Sequence, residues 1–483
     1  MKRHLVQKSP FEWELPIHGD MRVPGIIFAS ESILADMDEE ALKQVRDVAC
    51  LPGIVRASMA MPDAHAGYGF PIGGVAAFDP QRGGVISMGG VGFDIACGVR
   101  TLLTGLTRDD ILAHQEKLAD ALFASVPAGV GRGGDIAIEG DELDEMLTRG
   151  AAWAVQRGLG QKADLERIED NGISRGANPS KVSKEAKKRI RNQIGSLGGG
   201  NHYLEVQYVE EILDAEKADI FGISEGDALV SIHCGSRGLG HQIGTDFLNA
   251  MAPTKSRKGK KSKSGAPKSK HPRQLAHAPI DSKEAQDYLA AMHCGINCAL
   301  ANRQVITHLV RMAFASVMPE AALPLLYDVS HNTCKVERHE GEHGTRKLFV
   351  HRKGATRAYP PGHPSLPEDI REAGQPVLIG GSMGSASYIL AGAQEAMRKS
   401  FGSANHGAGR ALSRTEAKRR FDGRDIGESL RHKGILVRSK SLKSVAEEAP
   451  DAYKESSDVI ASVTGAGLAA PVARLMPMIC IKG

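Results

Sequence analysis

The hydrophobic pattern of the chain alternates between short apolar runs and longer amphipathic stretches. The short runs predict buried strands, and most of them end in glycine-rich or polar residues. The amphipathic stretches have the spacing of a helix with one apolar face. These predicted helices span residues 36–50, 107–125, 138–158, 181–191, 282–318 and 415–421. Strands and helices therefore alternate along the chain, without a repeat of fixed period.

Capping residues mark the beginnings of several predicted helices. Asp36 with Glu39, and Thr107 with Asp110, have the spacing at which side chains satisfy the first free backbone N–H groups. Residues 1–35 instead read as short strands and turns. Residues 61–79 are dense in glycine and proline, so we predict strands joined by tight turns there as well.

One glycine-rich stretch, residues 89–100, places a carboxylate and a thiol three residues apart, at Asp94 and Cys97. A thiolate is a soft metal ligand and a carboxylate a hard one, so the pair suits zinc, iron or manganese better than calcium. A buried turn with a structural cysteine would have the same local sequence. This stretch alone leaves both interpretations open.

Four histidines occupy the same kind of local position, at the end of an apolar run or in a glycine-rich turn. They are His202, His233, His331 and His406. Each alone is typical of an ordinary core or surface histidine. Together with Asp94 and Cys97 they predict metal ligands beside phosphate-binding loops, as in a metal-assisted phosphoryl or nucleotidyl transferase. Successive strand residues face opposite sides, which favours His233 over Cys234 as a ligand.

Other polar residues have both a functional and a structural interpretation. Asp63 and His65 could contact a substrate, support residues that contact it, or cap a turn. Cys294 and Cys298, four residues apart on a predicted helix, could bind a metal but are more typical of a core. The basic residues of the helix at 181–191 favour a solvated face over a phosphate-binding one.

The positive charge of the chain is concentrated in one stretch of the sequence. The net charge is +4, yet nine Lys and Arg residues lie between Lys255 and Arg273, where there is no Asp or Glu. Outside that stretch acidic residues outnumber basic ones. We therefore predict a basic surface insertion at about 254–275, either disordered or facing RNA.

Cysteine usage and hydropathy indicate the compartment. Seven scattered cysteines form no regular disulfide framework, which predicts a reducing, cytoplasmic environment. The first residues lack the apolar core of a signal peptide. No apolar stretch is long enough to cross a membrane, so we predict no membrane association.

Long motifs along nearly the whole chain carry a family resemblance. They lie at residues 62–74, 92–98, 198–202, 233–240, 382–388 and 406–410. In content and in order they resemble those of the RtcB family of GTP-dependent RNA ligases. The resemblance implies a mixed α/β (α+β) fold, with central sheets around a deep metal and nucleotide cleft. It also implies one compact domain over residues 1–483, with the basic stretch as an insertion.

The resemblance further implies two manganese ions and GTP as cofactors. Cys97 would bridge the ions, with Asp94 and His202 completing one site and His233 and His331 the other. His406 would be the nucleophile that accepts GMP. The residues implied to contact the nucleotide are Asn201, His202, Tyr203, Leu204, Glu205, His331, Asn332, Gly380, Gly381, Ser382, Met383, Ser387, His406, Gly407, Ala408, Gly409 and Lys482.

The function implied is the joining of RNA 2′,3′-cyclic phosphate or 3′-phosphate ends to 5′-hydroxyl ends, through a GMP–histidine intermediate and a GMP-activated RNA 3′ end. The partners would be RNA ends, such as tRNA halves or cleaved RNA, and an activating protein of the archease type. Two enzymatic alternatives use the same site: a guanylyl-capping enzyme of RNA or DNA 3′-phosphates, and a metal-dependent phosphodiesterase. A third alternative is a non-catalytic RNA-binding scaffold, and the intact set of metal and nucleophile residues argues against it.

Overall fold

The structure is a computed structural model that describes residues 1–129, 131, 133–134, 136–252, 273–341 and 344–483. The predicted basic insertion lies almost entirely outside the described residues. Its last part, Arg273–Leu275, forms a short 3₁₀ helix. In the described part of the chain, no helix combines the length and the apolar character needed to cross a membrane.

Two large sheets dominate the described residues, and both are mainly antiparallel. In spatial order the first contains Val6–Ser9, Glu12–Leu15, Gly25–Phe28, Ile54–His65, Ile72–Phe78, Gly344–Lys353 and Asn332–Gly341. The second contains Leu325–Ser330, Gly98–Thr107, Asp227–Cys234, Tyr203–Ile212, Ala469–Lys482, Ser387–Gly392 and Pro376–Ile379, with Leu436–Ser439 parallel to Ala469–Lys482. Two small strand pairs are Val85–Ser87 with His277–Pro279, and Ala355–Arg357 with Ser403–Asn405.

Helices cover these sheets, and the predicted mixed α/β fold in a single domain is confirmed. The longest helix, Lys283–Val317, is buried along most of its length and packs against the second sheet. The other α-helices of the described chain are Glu31–Asp36, Glu39–Ala49, Arg108–Ser125, Gly140–Arg149, Ala151–Gln156, Lys184–Ile190, Ala215–Phe221, Arg237–Met251, Gln394–Ser400, Arg414–Arg420, Gly423–His432, Leu442–Glu447 and Ser456–Gly465.

Three predicted helices have different boundaries in the structure. The one predicted over 181–191 begins at Lys184, because Val182 is extended. The helix predicted from Asp36 is wrong at its start, because Asp36 ends one helix and a second begins at Glu39, after an extended residue. The helix predicted over 138–158 is broken at Gly150, whose φ is +57°. A Cβ at that position would lie 2.5 Å from a backbone oxygen of Gly172. By contrast, the capping box of Thr107 and Asp110 is confirmed.

Strand register in the second sheet brings the predicted metal ligands to one end. Gly98, next to Cys97, is paired with Cys234 on one side and with Ser330 on the other. His233 is paired with Tyr203, the neighbour of His202. Ligands that are distant in the sequence therefore meet because the strands that carry them are hydrogen-bonded in this register.

A buried ion pair fixes the strand that leads to His406. The Arg352 guanidinium binds both carboxylate oxygens of Glu337, at 2.6 and 2.9 Å. It also donates to the Ser403 hydroxyl and the Phe401 carbonyl oxygen, each at 2.7 Å. The segment before His406 is thus tied to the first sheet by charge-assisted hydrogen bonds.

Replacing Glu337 with glutamine is expected to destabilise the protein at neutral pH. Burial acts to raise the pKa of Glu337, but Arg352 outweighs it and leaves that pKa at about 2. The stabilisation is therefore complete above the ordinary carboxyl pKa and is lost as the pH falls towards 2. At pH 7, Glu337→Gln should lower the free energy of unfolding by about 3 kcal/mol, because a buried guanidinium loses its partner.

Urea denaturation at pH 7 and at pH 3 measures this effect. The difference between wild type and Glu337→Gln should shrink at the lower pH. A suitable control is Glu395→Gln, which removes an exposed pair with Arg398 and should change the free energy by less than about 1 kcal/mol. Equal stability of wild type and Glu337→Gln at pH 7 would contradict the assigned role.

Candidate active site and metal centre

A cleft of about 600 Å³ is lined by residues from both large sheets. Most of the predicted site residues line it. They are Asp94, Cys97, Asn201, Tyr203, Glu205, His233, His331, Asn332, Gly380, Gly381, Ser382, His406, Gly407, Ala408, Gly409 and Lys482. The structure therefore brings together residues that come from seven separate segments of the sequence.

Two groups of metal-ligating atoms share one sulfur. In the first group, His233 Nε2 lies 3.2 Å from Cys97 Sγ and 3.2 Å from His331 Nε2. In the second, His202 Nε2 lies 3.3 Å from Cys97 Sγ and 2.8 Å from an oxygen of Asp94. In each group the ligand atoms all lie within 4.8 Å of one another. Cys97 is thus placed where a bridging ligand would be.

The donor set fits divalent transition-metal ions. Nitrogen and sulfur ligands about 2.0–2.3 Å from one tetrahedral ion lie roughly 3.3–3.7 Å apart, close to the spacings observed here. Burial, followed by neighbouring positive groups, holds the pKa values of His233 and His331 well below the ordinary range. Their rings are therefore neutral, which leaves lone pairs for an ion. Burial also raises the pKa of the Cys97 thiol to about 12, so ion binding would displace its proton.

The turn that carries Asp94 and Cys97 is held by the strand that follows His331. The Asn332 side chain donates to the Asp94 carbonyl oxygen at 3.0 Å, and the Asn332 carbonyl oxygen accepts from the Ala96 N–H at 2.8 Å. The His331 N–H donates to the Cys97 carbonyl oxygen at 2.8 Å. These bonds link two ligand-bearing segments directly through the backbone.

His406 sits beside a fully buried carboxylate. Its Nδ1 lies 2.7 Å from Oδ2 of Asp63, and the same oxygen accepts from the backbone N–H groups of His406 and Gly407. The negative charge of the carboxylate favours a proton on Nδ1, which leaves the lone pair on Nε2. The sequence left Asp63 open between a turn cap and a substrate group, and the structure places it against the predicted nucleophile.

A glycine allows this close approach. Gly409 has φ +76°, and a Cβ there would lie 2.4 Å from the Asp63 carbonyl oxygen. Any other residue would push the turn that carries His406 away from Asp63. On the other side, the Gly380 carbonyl oxygen accepts from the Ala408 N–H at 3.2 Å, which joins the two glycine-rich loops.

One polar wall of the cleft is formed by the strand Tyr203–Ile212 and the strand Ala469–Lys482. Tyr203 is paired with Lys482, and Glu205 with Cys480. Buried Glu205 accepts from Gln207 at 2.8 Å and from the Cys480 thiol at 3.3 Å. Burial, opposed by Lys482, raises the pKa of Glu205. A carboxylate and an ammonium group thus lie close together in this wall.

Four predicted residues do not line the cleft. His202 lies behind Asp94 and Cys97, in the second ligand group. Ser387 accepts from the Gly381 N–H at 3.0 Å and so holds the glycine loop. The side chains of Leu204 and Met383 belong to hydrophobic clusters, which leaves only their backbone atoms for a nucleotide. Cys294 and Cys298 also pack in the core.

Several cleft residues were not singled out from the sequence. Buried Lys353 donates to the carbonyl oxygens of Tyr68 and Phe70, and burial lowers the pKa of Lys353 to about 7. Arg410 donates to Glu448 at 3.1 Å and stacks over Tyr453. Arg410 ends the motif at residues 406–410 and could have been found there. Lys353 lies on an ordinary strand without a local signal.

Comparison with known proteins identifies the family. The family model described as tRNA-splicing ligase RtcB matches residues 44–483. The tRNA-splicing ligase RtcB of Archaeoglobus fulgidus is 48% identical over the full length of both chains. That of Thermococcus kodakarensis is 48% identical, covering 98% of this chain and 97% of its own. The RNA-splicing ligase RtcB homolog 1 of Entamoeba dispar is 46% identical, covering 92% and 82%. The chain belongs to the RtcB family.

Proposed function

We propose that this chain is an RNA ligase that joins 2′,3′-cyclic phosphate or 3′-phosphate ends to 5′-hydroxyl ends, using GTP, in tRNA splicing or RNA repair. Family membership supports the ligase activity. One observation carries the chemistry: ligands from both groups, Asp94, Cys97, His233 and His331, line the same cleft as His406, and Asp63 lies beside His406. A nucleophile beside a dinuclear metal centre is suited to nucleotidyl transfer.

The metal centre is proposed to hold two manganese ions. Asp94, Cys97 and His202 would hold one, and Cys97, His233 and His331 the other. When bound, the ions supply positive charge that offsets the negative charge developing on the phosphate and its leaving group. The mixed ligand set is also suited to zinc. Competition between manganese and zinc for binding to the protein would test the proposed identity of the metal.

His406 is proposed to attack the α-phosphate of GTP. A bond forms between Nε2 and phosphorus, and the bond from that phosphorus to the pyrophosphate oxygen breaks. Asp63 keeps the ring oriented and holds the proton on Nδ1, so the lone pair stays on the attacking nitrogen. The RNA 3′-phosphate then displaces the imidazole and takes the GMP. The 5′-hydroxyl of the second RNA end finally attacks the phosphorus of the activated RNA 3′-phosphate. The new phosphodiester bond forms as GMP is released.

Guanine recognition is proposed to depend on Glu205. The base edge of guanine presents two neighbouring N–H donors, and a carboxylate is their natural acceptor, whereas adenine lacks this donor pair. Glu205 is the buried acceptor in the polar wall formed by the strands of Tyr203 and Lys482. The Lys482 ammonium, which donates to the carbonyl oxygens of Gly200 and His202 at 3.4 Å, is suited to the phosphates or the ribose.

Removing the Asp63 carboxylate is expected to slow transfer of GMP to the protein by about 10²–10⁴-fold, because His406 loses its orientation and its preferred tautomer. The rate of labelling by α-labelled GTP in Asp63→Ala measures the effect. A suitable control is Asp38→Ala, which removes a carboxylate at another part of the cleft wall. Comparable rates in the two variants would exclude the assigned role of Asp63.

A strand-joining assay tests the proposed function. One RNA ends in a 3′-phosphate and the other begins with a 5′-hydroxyl, and GTP and manganese are supplied. We expect a joined product that requires both end groups, while a 3′-hydroxyl with a 5′-phosphate should not be joined. A cyclic phosphate end should also be joined, after hydrolysis to the 3′-phosphate.

The same assay separates the alternatives. A capping enzyme would accumulate RNA with a GMP-blocked 3′ end and no joined product. A phosphodiesterase would open the cyclic phosphate without GTP and stop there. An RNA-binding scaffold would do neither and would tolerate loss of His406.

The partners and the location are also proposals. RNA ends would be the substrates, and an activating protein of the archease type would speed repeated turnover, which addition of such a protein to the joining assay tests. All seven cysteines are free in the structure, which supports a reducing, cytoplasmic environment.

A further inference from the structure

A buried arginine on the long helix, Arg303, donates all five of its N–H groups. Nε and one Nη2 N–H bind the Asp328 carboxylate at 2.8–3.2 Å. Nη1 donates to the carbonyl oxygens of Ala96 and Cys234, each at 2.8 Å, and Nη2 reaches the Ser330 hydroxyl at 3.2 Å. Because the guanidinium is a rigid planar fork, these partners are held in fixed relative positions.

The partners of the Arg303 side chain lie next to proposed metal ligands. Ala96 precedes Cys97, Cys234 follows His233, and Ser330 precedes His331. These residues belong to three different segments, which meet at one end of the second sheet. A single side chain therefore connects three segments that must stay in register for their ligands to converge.

One of these segments adopts an unfavourable backbone conformation. Ala96 has φ +52°, in the left-handed region that residues other than glycine rarely adopt. Its carbonyl oxygen accepts from Arg303, and its N–H donates to the Asn332 carbonyl oxygen at 2.8 Å. The turn that presents Cys97 is thus held from both sides of its strained residue.

We infer that Arg303 is a positioning residue that sets the spacing of Cys97, His233 and His331, and thereby the affinity of the site for metal ions. This inference rests on the proposed metal centre. The long helix carries none of the proposed metal ligands. Through Arg303 it would nevertheless control the geometry of three of them.

A second buried arginine provides a matched comparison. Arg100 also binds Asp328, at 2.8 Å, and is equally buried. Its other hydrogen bonds go to Gln304 and Thr307 on the long helix, and neither residue adjoins a proposed ligand. Lysine at either position keeps one positive charge near Asp328, but it cannot reproduce the fork.

The experiment titrates the metal-free full chain with Co²⁺ and follows the thiolate-to-cobalt absorption band, with thermal melting measured in parallel. Arg303→Lys should bind Co²⁺ about 10–100-fold more weakly than wild type. Arg100→Lys should bind nearly as tightly as wild type, although both variants melt at lower temperature. Adding Ala96→Gly to Arg303→Lys should restore part of the affinity, because glycine adopts positive φ without strain.

Three outcomes would overturn the inference. Equal Co²⁺ affinities of the two lysine variants would show that Arg303 only stabilises the fold. If Arg303→Lys does not fold, Ser330→Ala provides the test instead. Its affinity for Co²⁺ should be about 2–10-fold lower than that of wild type, because one hydrogen bond of Arg303 is lost. Unchanged affinity for Co²⁺ would contradict the inference. Absence of the absorption band in the wild type would reject the metal centre and, with it, the inference. A band in the wild type together with equal Co²⁺ affinities of Arg303→Lys and Arg100→Lys would reject only the role of Arg303.

Discussion

Replacing Cys97 with alanine is expected to remove both metal ions and to abolish transfer of GMP to the protein and RNA joining. The sulfur of Cys97 is the one atom common to both ligand groups. Its loss leaves each group with two ligands, too few to hold an ion in a three-ligand site. The rates of both reactions should fall by about 10⁴-fold or more, because the charge that stabilises the transition state is lost.

Metal content and labelling by GTP, measured on the same preparation, test this prediction. Cys234→Ala is the matched control. Cys234 is buried beside His233, but its sulfur lies 3.1 Å from Asn302 Nδ2 and belongs to neither ligand group. The control should retain two ions and its labelling. Labelling of Cys97→Ala at the wild-type rate would show that the metal ligands are wrongly assigned.

Replacing His406 with alanine is expected to abolish RNA joining while both metal ions stay bound. His406 belongs to neither ligand group, although its ring packs against His331 with the centroids 4.6 Å apart. Loss of a nucleophile typically costs about 10⁴–10⁶-fold in rate, and the imidazole lost is the one whose Nδ1 lies 2.7 Å from the Asp63 carboxylate. The effect therefore separates chemistry from metal binding, which Cys97→Ala cannot do.

The joining rate of His406→Ala, measured at saturating GTP and manganese, provides the test. His363→Ala serves as the control, because the His363 ring stacks on Tyr359 and is absent from the lining of the cleft. Metal content should equal that of wild type in both variants. Joining by His406→Ala at more than a few per cent of the wild-type rate would assign the nucleophile to another residue.

The grouping of the proposed metal ligands could be predicted from the sequence because their chemistry is distinctive and their local setting recurs. Thiol, carboxylate and imidazole groups stand at the ends of apolar runs, and the register of the second sheet gathers those ends. The register itself is a long-range property, so the sequence alone could not show that Gly98 pairs with both Cys234 and Ser330. The division into two groups around Cys97 came from the family resemblance.

Other features of the structure could not be predicted, because they depend on tertiary contacts that no local sequence pattern indicates. Asp63 has the sequence of a turn cap, and only the approach of Gly409 brings it to His406. Leu204 and Met383 are among the residues implied to contact the nucleotide, yet their side chains belong to hydrophobic clusters. The helix predicted over 138–158 was interrupted because Gly150 packs against Gly172, a contact that periodicity does not encode.

His406 is proposed to form a covalent bond to GMP, and this bond can be detected directly. The most direct measurement incubates the wild type with α-labelled GTP and manganese, then isolates the labelled peptide and tests its stability. We expect one labelled peptide that contains His406, with label that is lost in acid and kept in alkali, and no label on His406→Ala. Equal label on His406→Ala, or no label on a wild type shown to contain its metal ions, would contradict it.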